Sequence, residues 1–267
     1  MPEPILRHVT PTELAGAARH LVAGWWGIVR LGALMLDMAL SRSTYTRESW
    51  RRLALHIVQD SGPMLAGFTV LTTLISLILI RIVIVTALSY GLTQYALEMV
   101  VRVLVLELIP LTAALFAALR CTIPNAVEVI TLRARGQWGA SADAVAETLR
   151  REVLPRMVSG VFSALLLAVV SCTVTLVVAY LSVYGPVTSG LAAYTRTVGH
   201  VFNPAVSLIL GLKVVFFGLA VALVPMAAAL DAAPTRRRAA SAELRGLVRM
   251  SVVILVIEAA SLVGNYY

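Results

Sequence analysis

Long apolar stretches alternate with short polar segments over most of this 267-residue chain. An α-helix needs about 20 predominantly apolar residues to cross the hydrocarbon core of a bilayer. Five stretches come near that length, and the third of them contains no charged residue. We therefore predict five transmembrane helices, over residues 63–88, 97–119, 157–182, 205–230 and 250–265.

Residues 12–40 follow a different pattern, in which an apolar helix carries one polar stripe. At 100° per residue, Arg19, Arg30 and Asp37 fall within about 20° of one another. Two adjacent tryptophans in this segment suit the headgroup level, where an indole N–H stays hydrated. The pattern favours an amphipathic helix lying along the membrane surface. The alternative is a true span over 21–40, which would have to bury Arg30 and Asp37.

These elements predict an all-α integral membrane protein: an N-terminal interfacial amphipathic helix plus five transmembrane helices. Composition agrees, because 59% of the residues are hydrophobic, 13% are charged and the mean hydropathy is +0.87. A soluble domain carries about 25% charged residues. We expect residues 1–55 to form the cytoplasmic or interfacial helix with a polar connector, and residues 56–267 to form the five-span domain.

The net charge of +8 is distributed unevenly along the chain. Arginines concentrate at 42–52, 120–156 and 236–249, between apolar stretches, whereas the loops that alternate with these segments hold only Arg196. Basic loops stay on the cytoplasmic side of a membrane, so we expect a cytoplasmic N-terminus and a C-terminus on the opposite side. No basic-aromatic groove accompanies the charge, so nucleic acid is not an expected partner.

Six charged residues fall inside or at the ends of the predicted spans, where charge is costly and marks function. Two pairs are expected: Glu98 with Arg102, four residues apart on one helix face, and Lys213 with Glu258. Lys213 would instead snorkel if it lay near an interface. The charges either neutralise one another or contact a substrate, and both interpretations stay open. The six are Arg81, Glu98, Arg102, Glu107, Lys213 and Glu258.

The sequence predicts no catalytic residues, no metal site and no bound cofactor. There is no Gly-x4-Gly-Lys-Ser/Thr run, and the only lysine, Lys213, lies within a predicted span. Cys121 and Cys172 lack the spacing of metal ligands, and the four histidines form no base–nucleophile arrangement. We therefore expect a transporter subunit rather than an enzyme, with its energy supplied by a partner.

Three blocks of residues resemble a known family. The second block is Lys213, Phe217 and Gly218, and the third is Arg245, Arg249 and Glu258. The first, which aligns without a gap, comprises Glu107, Leu108, Pro110, Arg120, Glu128, Gln137, Pro155 and Arg156. In this spacing the chain resembles the MlaE/YrbE permeases, the membrane subunits of ABC-type lipid transporters that work with MCE proteins.

Several positions depart from the family pattern. The arginine expected before Glu107 is Leu106, and the glycine expected before Pro110 is Ile109. In the basic segment, an expected acidic residue is replaced by Gly136. These departures predict an altered contact with the ATPase or an unequal partner permease.

The resemblance implies a multi-pass permease of the bacterial inner membrane with a periplasmic C-terminus. It implies a cytoplasmic ABC ATPase, an MCE-domain protein, a second permease subunit and phospholipid as partners. A coupling segment, about 121–155, would dock on the ATPase, and Glu107 would lie near the lipid cavity. Two alternatives are a divergent paralogue with a structural or regulatory role in a heteromeric complex, and an ion-coupled secondary transporter that uses Glu107 and Arg81. Candidate coupling residues are Arg120, Glu128, Arg133, Gln137 and Arg156.

Overall fold

The structure, a computed structural model, describes residues 11–40, 47–136, 138–139, 141–231 and 236–266, and its regular elements are all helical over these ranges. The α-helices are α1 (Pro11–Leu40), α2 (Arg47–Ser89), α3 (Thr93–Met99), α4 (Ile109–Ala117), α5 (Ile123–Ala134), α6 (Ala142–Thr148), α7 (Leu154–Tyr184), α8 (Leu191–Val201), α9 (Pro204–Asp231) and α10 (Arg236–Tyr266). Three π-helical segments, Val100–Leu108, Ala118–Thr122 and Leu149–Val153, and a 3₁₀ turn, Thr188–Gly190, complete the described elements.

The prediction of an all-α integral membrane protein is confirmed. Among the described residues, five helical runs are long and apolar enough to cross a membrane, and each contains one of the predicted spans. The runs extend beyond the predicted spans, mainly at their arginine-rich ends. Their bounds are Leu53–Ser89, Tyr95–Ala134, Asp143–Tyr184, Pro204–Asp231 and Leu244–Asn265.

The predicted domain boundary at 55–56 falls inside α2, which begins at Arg47 and continues unbroken into the first span. No break in the helix marks this boundary, so the division into two domains stays a prediction. The predicted coupling segment is mostly helical: α5 prolongs the second span, and α6 leads into the third. They meet at a turn where Gly136 has φ +71°, a conformation that favours glycine. We call α5, this turn and α6 the coupling hairpin.

The bundle has two distinct ends. The arginine side carries the turn of the coupling hairpin and the start of α10, whereas the α8 side carries the turn after α2 and the short helix α8. The Tyr194 hydroxyl ties α8 to the bundle by donating to the Leu176 carbonyl at 2.7 Å. Burial raises the pKa of Tyr194 to about 12, so this hydroxyl keeps its proton at neutral pH.

Each π-helical segment ends two residues before a proline, namely Pro110, Pro124 and Pro155. A proline has no amide N–H, and its ring collides with the carbonyl four residues earlier in an α-helix. A wider turn relieves that collision, and π-helical turns often occur at functional sites. The three prolines therefore account for the departures from α-helical geometry in the second and third spans.

Small polar residues join α2 and α7, which run in the same direction. Ser61 pairs with Ser163 at 2.8 Å, and Ser76 pairs with Thr175 at 2.9 Å, all four being buried. Small hydroxyl residues allow close approach of membrane helices and add hydrogen bonds between them. α9 lies at the centre of the bundle, where Phe217 packs against Ile254 of α10 in the largest core cluster.

The helix α1 packs its apolar face against α7 and α9. Leu31 and Met35 are buried beside Met157 and Met226, whereas Arg30 and Asp37 are exposed. This distribution is that of an amphipathic helix, as the stripe pattern predicts. That α1 lies along the membrane surface stays a prediction.

Candidate functional site

Three charged side chains from three helical segments meet inside the apolar bundle. Glu107 comes from the first π-helical segment, Lys213 from α9 and Glu258 from α10. The Lys213 ammonium contacts Glu107 Oε2 and lies 2.8 Å from Glu258 Oε2. Lys213 is only 2% exposed, and Glu107 is also buried. We call this cluster the buried triad.

Two polar groups of the chain complete the surroundings of the triad. Lys213 donates to the Leu106 carbonyl at 3.0 Å, and the Asn265 amide donates to Glu107 Oε1 at 3.2 Å. The residue four places after Leu106 is Pro110, which lacks the N–H that an α-helix would direct at this carbonyl. Because of this proline, the Leu106 carbonyl oxygen is available to accept a hydrogen bond from Lys213. All three donor positions of the ammonium face oxygen atoms.

The triad lies deep in the membrane-spanning part of the bundle. At 1.5 Å per residue, its members lie about 10 to 18 Å along their helices from the α8-side ends. A hydrocarbon core about 30 Å thick, centred on these helices, would include them in its α8-side half. Charges at that depth persist when they are paired with one another. The triad therefore places charged groups at a depth where lipid chains surround the helical bundle.

The other predicted intramembrane charges do not join the triad. Arg102 pairs with Glu98 at 3.0 Å, as their spacing predicts, and both side chains are about 30% exposed. Arg81 is exposed on α2, between apolar residues, and it forms no ion pair within the described part of the chain. Of the six residues predicted from the sequence, the structure thus brings together Glu107, Lys213 and Glu258.

A buried arginine joins the coupling hairpin to the third span. Arg156, at the start of α7, donates to Glu152 Oε2 at 2.6 Å and lies 3.4 Å from Glu128 Oε2 of α5. The arginine is 6% exposed, whereas the Glu128 side chain is 56% exposed. One guanidinium therefore connects the α5 arm of the hairpin to α7 and to the π-helical segment that precedes α7.

A second arginine joins the hairpin to α9. Arg133, near the end of α5, donates to the carbonyls of Leu230 and Ala229 at the end of α9. Cations at a helix C-terminus stabilise its carbonyl groups. The Arg133 guanidinium also lies 5.6 Å from the centre of the Trp138 ring. Arg120 is exposed, and the predicted coupling residue Gln137 lies outside the described residues.

The sequence interpretation missed a second polar cluster, on the arginine side. The Ser159 hydroxyl donates to Asp60 Oδ2 at 2.6 Å, and the Asn125 amide approaches the same oxygen at 3.3 Å. Asp60 precedes the first predicted span, yet it faces α7 and α5. Its position one helical turn before the apolar run of α2 was the available signal. Asn265, two residues before Tyr267, gave no signal of its contact with Glu107.

An apolar groove of about 350 Å³ lies between α1, α7 and α9. Every residue that lines it is apolar or glycine, including Met35, Phe162 and Leu223. Such a surface suits a hydrocarbon chain and offers nothing to a polar solute.

Comparison with known proteins gives one finding on the family. A family model described as permease MlaE matches residues 54–263, which include the coupling hairpin and the whole buried triad. A comparison with curated proteins finds no match.

Proposed function

Because this chain belongs to the MlaE permease family, we propose that it is the permease subunit of an ABC-type transporter that moves phospholipid between a bacterial inner membrane and an MCE protein. A separate cytoplasmic ATPase supplies the energy, and a second permease subunit completes the membrane part. The N-terminus lies in the cytoplasm and the C-terminus in the periplasm, as the arginine distribution predicts.

The observation that carries this proposal is the attachment of the coupling hairpin to the membrane helices. Arg156 ties it to α7, and Arg133 ties it to the end of α9, the helix that carries Lys213. Packed helices transmit displacements because their interiors are close to crystal density. A force on the hairpin from the arginine side would therefore reach the helices around the triad.

This connection suggests a transport cycle. Nucleotide binding closes two ATPase subunits, and each moves a coupling hairpin of one permease. The cavity between the two permeases then changes its volume or access, and a lipid passes to or from the MCE protein. The chain contributes binding surface and mechanical coupling. The apolar groove supports a lipid as the transported molecule, because its lining accepts acyl chains.

Purification of the tagged full chain in mild detergent tests the proposal. We expect an ABC ATPase and an MCE-domain protein to co-purify, and phospholipid to be extracted from the complex and identified by mass spectrometry. Recovery of neither protein would refute the assignment.

The Glu107→Ala variant tests the role of the triad in this function. We expect it to impair lipid transfer, measured between reconstituted vesicles and the MCE protein, while still co-purifying with the ATPase. Glu98→Ala is the matched control, because Glu98 is a partly exposed carboxylate in an intrahelical pair. Normal transfer by Glu107→Ala would exclude this carboxylate from the mechanism.

A second candidate is a non-equivalent permease that pairs with a more typical one. The turn of the coupling hairpin favours it, since Gly136 holds φ +71° where the family pattern has an acidic residue. A glycine there provides backbone geometry but no charge for the ATPase. Two different permease chains in one purified complex would support this candidate. Transport driven by a proton gradient without any ATPase would instead establish an ion-coupled transporter.

A further inference from the structure

The charges of the buried triad do not balance. One ammonium, on Lys213, faces two carboxylates, on Glu107 and Glu258. With all three groups ionised the cluster carries a net charge of −1, inside helices surrounded by lipid. An uncompensated charge in a low-dielectric interior is lost by protonation rather than kept. We propose that the triad is a proton-binding site that holds one proton on the carboxyl groups of Glu107 and Glu258.

No neighbouring charge among the described residues replaces that proton. On the same side of the bundle, Glu98 and Arg102 neutralise each other, and Arg81 on α2 and Arg196 and His200 on α8 are exposed. α7 presents the uncharged thiol of Cys172, which bonds to a backbone carbonyl, and α4 carries no ionisable side chain. Arg133 and Arg156 lie at the arginine side, engaged with the coupling hairpin.

The geometry of the two carboxyl groups suits a shared proton. Both contact a single ammonium, so their charges lie close together, and a like charge nearby favours the protonated form of a carboxyl group. Glu258 Oε2 lies 2.8 Å from Lys213 Nζ and has no further hydrogen-bond partner within the described residues. That oxygen therefore retains the capacity to carry a proton.

Buried oxygen atoms of α10 lie beside the triad with hydrogen-bonding capacity left over. Ser261 Oγ and Asn265 Oδ1 have no hydrogen-bond partner among the described residues, and Glu258 Oε2 has none besides Lys213, while the Asn265 amide reaches Glu107. They lie on one face of α10, about one helical turn of 5.4 Å apart, and Asn265 is close to the helix end. Gaps of this size suit bridging water molecules. Water molecules at these oxygen atoms would give the triad a path for proton exchange with the α8 side.

Infrared spectroscopy of the full chain in lipid nanodiscs tests the site directly. At neutral pH the wild type should show the C=O stretching band of a protonated carboxyl group. Glu258→Gln and Glu107→Gln should each abolish that band, because one remaining carboxylate then balances Lys213. Both variants keep a neutral cluster and are expected to fold. Glu98→Gln and Asp60→Asn, which change carboxylates outside the triad, should leave the band unchanged.

The path is tested by transferring the protein into D₂O and following the shift of the same band. Ser261→Ala should slow that shift. Thr72→Val is the matched control, since Thr72 is an equally buried hydroxyl without a partner on α2. Equal slowing by both variants would refute the path.

Three results would overturn the proton site. The first is the absence of a protonated-carboxyl band in the wild type at neutral pH. The second is a band that survives both glutamine variants. The third is an infrared change of the triad carboxylates that depends on sodium concentration and not on pH, which would assign a metal cation. The result does not depend on the proposed lipid transport, because the measurement uses the isolated chain.

Discussion

Lys213 decides the energetics of the buried triad, because it is the one cation among the described residues that contacts the carboxyl groups of Glu107 and Glu258. Its 2% exposure leaves little water to replace a lost partner. Removing one member of a buried ion pair costs more than the pair contributes, since the remaining charge stays desolvated.

We predict that Lys213→Met lowers the free energy of unfolding by about 3 to 5 kcal/mol, the range measured for breaking buried ion pairs. The change should appear as a lower midpoint of thermal unfolding in detergent. Combining Lys213→Met with Glu107→Gln and Glu258→Gln should recover most of the loss, because no charge then remains buried. If the Lys213→Met variant alone were as stable as the wild type, the triad would not stabilise the packing of these helices.

At the scale of residues, the sequence identified the charges and two of their pairs, Glu98 with Arg102 and Lys213 with Glu258, but not the contact of Lys213 with Glu107. Lys213 and Glu258 lie in the two last spans and were expected to pair, as they do. The contact of Lys213 with Glu107 spans 106 positions in the chain, and no local pattern encodes such a distance. The functional roles of all six predicted residues stay predictions.

The helical elements depart from regular α-geometry where prolines interrupt them. The apolar periodicity predicts a helix across residues 97–119, and the structure has one there. Periodicity over a short segment does not distinguish an α-turn from a π-turn, because both bury the same kinds of residue. In the sequence, the prolines at 110, 124 and 155 were the signal for the π-helical segments.

Two arginines form ion pairs at the coupling hairpin, and they differ in burial: Arg156 is buried and Arg151 is exposed. Comparing variants of the two tests which contact stabilises the hairpin. We predict that Arg156→Ala accelerates amide hydrogen exchange in α5 and α6, because it removes the contacts to Glu152 and Glu128. Exchange is measured by mass spectrometry on the protein in nanodiscs. The matched control is Arg151→Ala, which removes an exposed ion pair with Glu147 on the same hairpin and should change exchange little.

Equal exchange in the wild type and Arg156→Ala would show that the hairpin does not depend on this arginine. An equal effect of the Arg151 control would point to a general loss of helicity. In either case the proposed route from the hairpin to α7 would have to run through apolar packing alone.

At the scale of the whole molecule, five spanning helices were predicted from hydropathy and are present in the structure. Hydropathy succeeds because lipid removes every alternative to an internally bonded backbone. The predicted orientation rests on the arginine distribution. The sequence also did not predict how far the helices of the coupling hairpin extend, because charged residues prolong them beyond the apolar spans.

Reporter fusions test the orientation. A fluorescent protein inserted after Trp138, in the hairpin turn, should fold and fluoresce in the cytoplasm. Alkaline phosphatase inserted after Pro186, on the α8 side, should be active in the periplasm. The opposite pattern would reverse the predicted topology and place the path along α10 on the cytoplasmic side.

The burial of the only lysine also determines how this protein responds to chemical labelling. Reagents that react with side-chain amines find a single target, and it lies inside the helical bundle. Cross-linking through lysine side chains is consequently uninformative about the contacts of this chain with its partners, however close they are. Any conformation in which Lys213 does become modified is one in which α9 and α10 have separated around it.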